Sequence, residues 1–167
     1  MFLQGVTLVG QDLGGVTGLS AVARFPQRFS RLVLLNTWLP QGDMLSSASK
    51  IAQHIPYLGW RAVITVLKRL SPVKTVFGIT TKASPKDVFK GYGAPYPSYI
   101  YKAGPAFWPL MIPVSQDDPV AIEFQNVARF LKDNWRKPAL VGYSDREIFT
   151  LSGSYIIITY KTLLTII

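Results

Sequence analysis

Gly10-Gln11-Asp12-Leu13-Gly14-Gly15 is the segment whose residue types and spacing best suit covalent chemistry. A carboxylate between glycines, G-x-Asp-x-G, has the spacing of a nucleophile elbow, the strand-to-helix turn that pushes one side chain out above a sheet. That turn is tight enough for flanking side chains to clash, which predicts a need for glycine at Gly10 and Gly14. The carboxylate then sits at a helix N-terminus, where the dipole and free N–H groups stabilise negative charge. Such a nucleophile suits alkylating substrates. It displaces a leaving group to form an ester, which a histidine-activated water hydrolyses. The backbone N–H of Leu13 supplies half of an oxyanion hole for that second step. A dinucleotide fingerprint fits less well: Gly10, Gly14 and Gly15 do not make G-x-G-x-x-G, and Asp12 repels a pyrophosphate.

Other chemistry is constrained by what the chain lacks. There is no cysteine, which excludes disulfides, thiol nucleophiles and thiolate metal sites. The single histidine, His54, excludes a multi-histidine zinc site and leaves one candidate for a histidine base. Asp117-Asp118 reads either as a metal or acid/base pair or as a helix N-cap, since Pro119 and an apolar-periodic run follow. No metal and no cofactor are expected. The net charge of +9 suggests anionic partners, yet the longest basic runs are pairs, Lys68-Arg69 and Arg136-Lys137. Without a basic 5–8-mer, nucleic acid is not an expected partner. Tyr155–Ile167 is the longest apolar stretch, but Thr159, Lys161, Thr162 and Thr165 interrupt it, so no membrane span is expected. Met1–Gly10 carries no basic residue ahead of Asp12, so it does not read as a secretory signal. A cytoplasmic location is the expectation.

The elements that must hold Asp12 follow from periodicity. With 167 residues, 49% of them hydrophobic and 16% charged, the chain is long and apolar enough for a packed core. Gly5–Gly10 is a short β-branched run and reads as a buried strand. Gly14–Phe25 reads as a helix ended by Pro26, and Leu32–Leu35 as a second buried strand. Strand, helix, strand over about 30 residues is a βαβ unit, which implies a parallel sheet and a right-handed crossover. From Gln41 to Pro113 prolines, glycines and aromatics recur, with helices expected at Met44–His54, Trp60–Arg69 and Ser84–Lys90. Val120–Trp135 has helical apolar spacing, and Pro138–Tyr143 reads as a third strand. Tyr155–Tyr160 is expected as a further edge strand.

Several segments together resemble the haloalkane dehalogenases of the α/β-hydrolase superfamily. They are Val9–Gly15, Arg24–Thr37, Tyr92–Ser98 continuing to Gly104, Pro109–Pro113, Asp117-Asp118-Pro119 and Tyr143-Ser144-Asp145. The likeness runs from about Gly5 to Thr150. It implies an α/β fold: a partial α/β-hydrolase core from residues 1–40 and 114–150, mostly parallel sheet, with a helical cap over 41–113 and a non-matching tail, 151–167. It also implies that Asp12 is the nucleophile. Glu147 takes the place of the acid that orients the catalytic histidine, with Asp145 as the alternative, and Asn36 stands where some relatives carry that acid.

The departures from the pattern are equally specific. The family usually has Trp after the nucleophile to hold the leaving halide, and here the residue is Leu13. Trp38 and Trp108 are the substitutes expected to bind substrate or halide. No histidine follows Glu147, and no His-Gly-x-Pro-type loop precedes Gly5. A piece of a longer hydrolase with a replaced C-terminus is therefore expected, inactive in turnover as it stands. The implied partner is a small apolar substrate such as a haloalkane. An epoxide is the alternative, with Tyr92, Tyr96, Tyr99 and Tyr101 as candidate donors to its oxygen. A third reading is a non-catalytic truncated product. The residue pattern sets no oligomeric state.

Overall fold

The computed structural model describes residues 3–67, 86–143 and 163–165. In chain order the elements are β1 (Val6–Gln11), α1 (Asp12–Arg24), a 3-10 turn (Pro26–Arg28), β2 (Phe29–Leu35), α2 (Ala48–Leu67) and α3 (Lys86–Gly93). A 3-10 turn (Tyr99–Lys102), α4 (Ala103–Phe107), a further 3-10 turn (Trp108–Met111), α5 (Pro119–Asn134), β3 (Ala139–Gly142) and β4 (Leu163–Thr165) complete the order. The chain divides into two compact units, residues 1–54 with 113–167 and residues 55–112.

The first unit holds a four-stranded sheet in the order β1-β2-β3-β4, every neighbouring pair parallel. The three strands expected from sequence are present and adjacent. Tyr155–Tyr160 lies outside the described residues, and the fourth strand is formed by Leu163–Thr165 beside β3. In register, Gln11 pairs with Leu35 and Leu35 with Gly142. The residues that follow each of these, Asp12, Asn36 and Tyr143, are thereby brought to the same end of three neighbouring strands.

One face of this sheet is covered. Val16, Leu19 and Val22 recur every three residues along α1 and are buried with Leu32 and Leu34 of β2, Val127 and Leu131 of α5, and Ala139 and Val141 of β3. Burying aliphatic side chains of this size stabilises the fold by roughly 1.5–3 kcal/mol each. α1 stops where the Phe25 N–H bonds back to the Ala21 carbonyl at 2.9 Å and Pro26 follows. α5 starts where Asp118 Oδ1 accepts from the Val120 N–H at 2.8 Å, so Asp118 is an N-cap, with Pro119 opening the helix. Among the described residues the other face is less covered, with Val33 and Leu140 half-buried. Val9 is 66% exposed and Leu35 39%. β1 is thus not the doubly buried strand that its apolar run suggests. It ends the sheet order and has one bare side.

The 55–112 unit departs from expectation at Pro56. A proline lacks a helical N–H, and Pro56 lies between the two helices expected at Met44–His54 and Trp60–Arg69. Instead, α2 runs continuously from Ala48 to Leu67. The reason lies in Tyr57 and Arg61, four residues apart and therefore on one helix face. Tyr57 Oη donates to the Pro109 carbonyl at 2.6 Å, and Arg61 Nη1 donates to the Pro109 and Ile112 carbonyls at 2.8 and 2.9 Å and to Tyr57 Oη at 3.2 Å. These bonds require the helix to persist beyond Pro56. Burial raises the Tyr57 phenol above its usual pKa, while the hydrogen bond and charge of Arg61 pull the other way. Among the described residues no helix is long and apolar enough to cross a membrane.

Candidate active site

β1 passes into α1 without an intervening loop. Gln11 is extended, at φ −126° and ψ 142°, and Asp12 is already the first helical residue. The change of direction is absorbed at Asp12, whose φ is +50°. A non-glycine residue in the left-handed region stores on the order of 1–3 kcal/mol unless its surroundings hold it there, though Asp tolerates it better than most. Its side chain is exposed at the head of α1. Gln11, the residue before the helix, gives it no side-chain cap.

The glycines around this turn do unequal jobs. A Cβ on Gly10 would lie 2.7 Å from the Gly15 Cα. One on Gly15 would lie 2.2 Å from Thr37 Oγ1 and 2.6 Å from both Thr37 Cβ and Cγ2. One on Gly14 would meet nothing within 4 Å. The steric need for glycine is therefore at Gly10 and Gly15. The expectation that Gly14 is the second required glycine is corrected: its Cβ direction opens outward, and the close contact of helix with strand falls one residue later.

The C-terminal ends of β2 and β3 complete the local structure. The Asp12 N–H donates to the Asn36 carbonyl at 3.2 Å, and the Asn36 N–H donates to the Gly142 carbonyl at 2.9 Å. Asn36 is itself left-handed, with φ +40°. Thr37 is fully buried; its Oγ1 donates to the Asp12 carbonyl at 2.6 Å, and Tyr143 Oη donates to the Thr37 carbonyl at 2.6 Å. Asn36, Thr37 and Tyr143 belong to segments that the sequence analysis quoted, but their hydrogen-bonded arrangement around Asp12 was not foreseen. A threonine two residues past a strand end is a weak sign, because the same residue type occurs in many turns.

The remaining candidates are placed as follows. Leu13 is half-buried and packs against the core. Trp38 is also half-buried against that core, just beyond β2. Trp108, 51% exposed, opens a 3-10 turn of the 55–112 unit. His54 lies on α2, with Nδ1 2.8 Å from the Lys50 carbonyl. Glu147 and Asp145 lie outside the described residues.

The parallel sheet, the loop-free elbow and a left-handed residue at the strand end define an α/β-hydrolase fold. The tetrameric structure of haloalkane dehalogenase DpaA from Paraglaciecola agarilytica NO2 aligns with 98% of this chain and 54% of its own, at a TM-score of 0.78 and 24% identity. No family model matches the chain. Sequence relatives narrow the class. A haloalkane dehalogenase of Psychrobacter cryohalolentis is 34% identical over 159 residues, covering 92% of this chain and 48% of the relative. Haloalkane dehalogenase 1 of Mycobacterium tuberculosis is 36% identical over 161 residues, covering 92% and 49%. The chain is a homologue of these enzymes and has the α/β-hydrolase fold of its structural neighbours. It spans about half the length of the curated relatives it matches.

Proposed function

We propose that this chain carries the nucleophile of a haloalkane dehalogenase-like hydrolase. The reaction converts a haloalkane and water to an alcohol, a halide ion and a proton. A carboxylate oxygen of Asp12 attacks the halogen-bearing carbon; the new C–O bond forms as the carbon–halogen bond breaks, and the halide leaves with the electron pair. Water then attacks the ester carbonyl, and the N–H of Leu13 stabilises the oxyanion. The observation that carries this reading is Asp12 itself, held at φ +50° on a turn closed by Gly10 and Gly15.

The other roles rest on the family pattern. Glu147 is the proposed triad acid, with Asp145 as the alternative. Trp38 and Trp108 are the proposed halide or substrate contacts. Residues 41–113 are the proposed cap, and the cytoplasm is the proposed location. The ester-hydrolysing step has one candidate histidine in these 167 residues, His54. General-base help is worth roughly 10²–10⁴-fold, so without it the ester accumulates. Leu13, at the position where relatives place a halide-binding Trp, favours an epoxide as the second substrate class, because Leu has no side-chain donor for a halide.

Free bromide measured against time with a bromoalkane tests this reading. One equivalent of bromide per chain, absent in Asp12→Ala, is the expected result. Sustained turnover would contradict the expected stall at the ester. Diol formation from an epoxide without bromide release would move the substrate class to epoxides.

A further inference from the structure

We propose that Thr37 is a positioning residue, whose hydroxyl holds the backbone of Asp12 in its left-handed conformation and thereby aims both the carboxylate and the Leu13 N–H. For its chemical consequence the proposal rests on Asp12 being the nucleophile.

Thr37 is buried completely. A hydroxyl placed there without a partner costs on the order of 1–3 kcal/mol, whereas valine fills the same volume without that cost. Packing alone therefore does not explain a threonine. The Asp12 carbonyl does, since it accepts from Thr37 Oγ1 at 2.6 Å.

The bond has a partner on the other side of Asp12. The preceding residue, Asn36, takes the Asp12 N–H on its carbonyl at 3.2 Å. Two consecutive residues at the end of β2 thus grip Asp12 by its N–H and its C=O, on either side of the φ and ψ that the turn strains. The peptide plane carries the effect one residue further. The Asp12 carbonyl and the Leu13 N–H belong to one planar trans unit, so fixing the carbonyl fixes the direction of that N–H. Thr37 is in turn held from β3, where Tyr143 Oη donates to its carbonyl at 2.6 Å. Gly15 gives up its Cβ to admit the Thr37 side chain, as the 2.2 Å approach to Oγ1 requires. The second position after β2 and the fourth residue of α1 are therefore specified together.

Thr37→Val and Thr37→Ser test this, with two readouts on the full chain. The first is residue-resolved amide exchange by NMR. In Thr37→Val, protection at Asp12, whose N–H is held by the Asn36 carbonyl, is expected to fall about tenfold or more relative to Leu34 of β2, the scale of one lost hydrogen bond. Thr37→Ser keeps the hydroxyl and is expected to retain protection. Unchanged protection at Asp12, or an equal fall along the whole of β2, would overturn the proposal. The second readout is the rate of Asp12 alkylation by a bromoalkane over a range of concentrations. The limiting rate in Thr37→Val is expected to drop by about tenfold or more while half-saturation stays within about twofold, because a misaimed nucleophile loses rate rather than binding. Thr37→Ser is expected to recover most of that rate. A normal limiting rate in Thr37→Val would overturn the proposal and leave Asp12 as nucleophile untouched. If the unaltered chain is not alkylated at all, the nucleophile assignment falls, and the exchange comparison still decides whether Thr37 holds the turn.

Discussion

The elbow and the 55–112 unit are built on different economies of contact. Around Asp12 the backbone is gripped at close range: Asn36 and Thr37 bind its two peptide groups, and Gly10 and Gly15 bring helix and strand to contact. Beneath lies the core shared by α1, α5, β2 and β3. In the 55–112 unit the described buried side chains are few, chiefly Tyr57, Ile64, Ala106 and Ile112. Among the described residues of this unit, the bonds of Tyr57 and Arg61 tie α2 to the Pro109 and Ile112 carbonyls. Val66, Ile100, Phe107 and Met111 remain more than half exposed. Geometry for covalent chemistry is thus specified by adjacent strand ends, whereas a small helical unit relies on a polar clasp that one substitution can open.

The sharpest way to break this comparison is at the glycines. Gly15→Ala places a methyl group inside the Thr37 side chain and is expected to cost about 3 kcal/mol, whereas Gly14→Ala, on an open helical position, is expected to be neutral or to stabilise by up to about 1 kcal/mol. Chemical denaturation of the two variants checks this. Equal costs would mean that the elbow is not packed as described.

Next comes the clasp. Arg61→Met removes the donor shared by the Pro109 and Ile112 carbonyls and is expected to cost about 1–3 kcal/mol, with faster proteolysis at residues 108–112 and no loss of protection at Asp12. Loosening at Asp12 instead would erase the distinction between the two regions.

A smaller effect is expected from pH. Burial holds Tyr57 neutral and its folded-state pKa above the unfolded value of about 10. Its contribution is therefore complete below about pH 10 and declines as pH rises through the folded value, because the unfolded chain releases that proton first. Unfolding midpoints taken from about pH 8 to about pH 11 should fall more steeply for the unaltered chain than for Tyr57→Phe. Parallel curves would remove Tyr57 from the account.

The smallest thermodynamic effect belongs to the bare side of β1. Val9→Thr is expected to change stability by less than about 0.5 kcal/mol, yet to raise solubility, since it interrupts an exposed apolar edge strand. Light scattering at increasing concentration checks it.

What the sequence made legible, and what it did not, divides along the same line. The parallel order of three strands, the helix after the elbow and the Asp118 N-cap were readable because each depends on local periodicity or on a residue beside its own partner. Gly15 was passed over for Gly14 because a motif records spacing, while the clash that demands glycine comes from Thr37, 22 positions along the chain. The helices expected at Met44–His54 and Trp60–Arg69 proved to be one for the same reason: the side chains that hold α2 beyond Pro56 bond to Pro109 and Ile112, distant in sequence. Trp38 and Trp108 were chosen by residue type, and type does not distinguish a tryptophan packed on a core from one that faces a substrate.

The most direct test of the account is the mass of one peptide. Trypsin releases Met1–Arg24, in which Asp12 is the only acidic side chain. After incubation with a bromoalkane, that peptide should gain one alkyl group, placed on Asp12 by fragmentation and absent in Asp12→Asn. An unmodified peptide, or an alkyl group carried equally by the Asn variant, would contradict the assignment of Asp12 as the nucleophile.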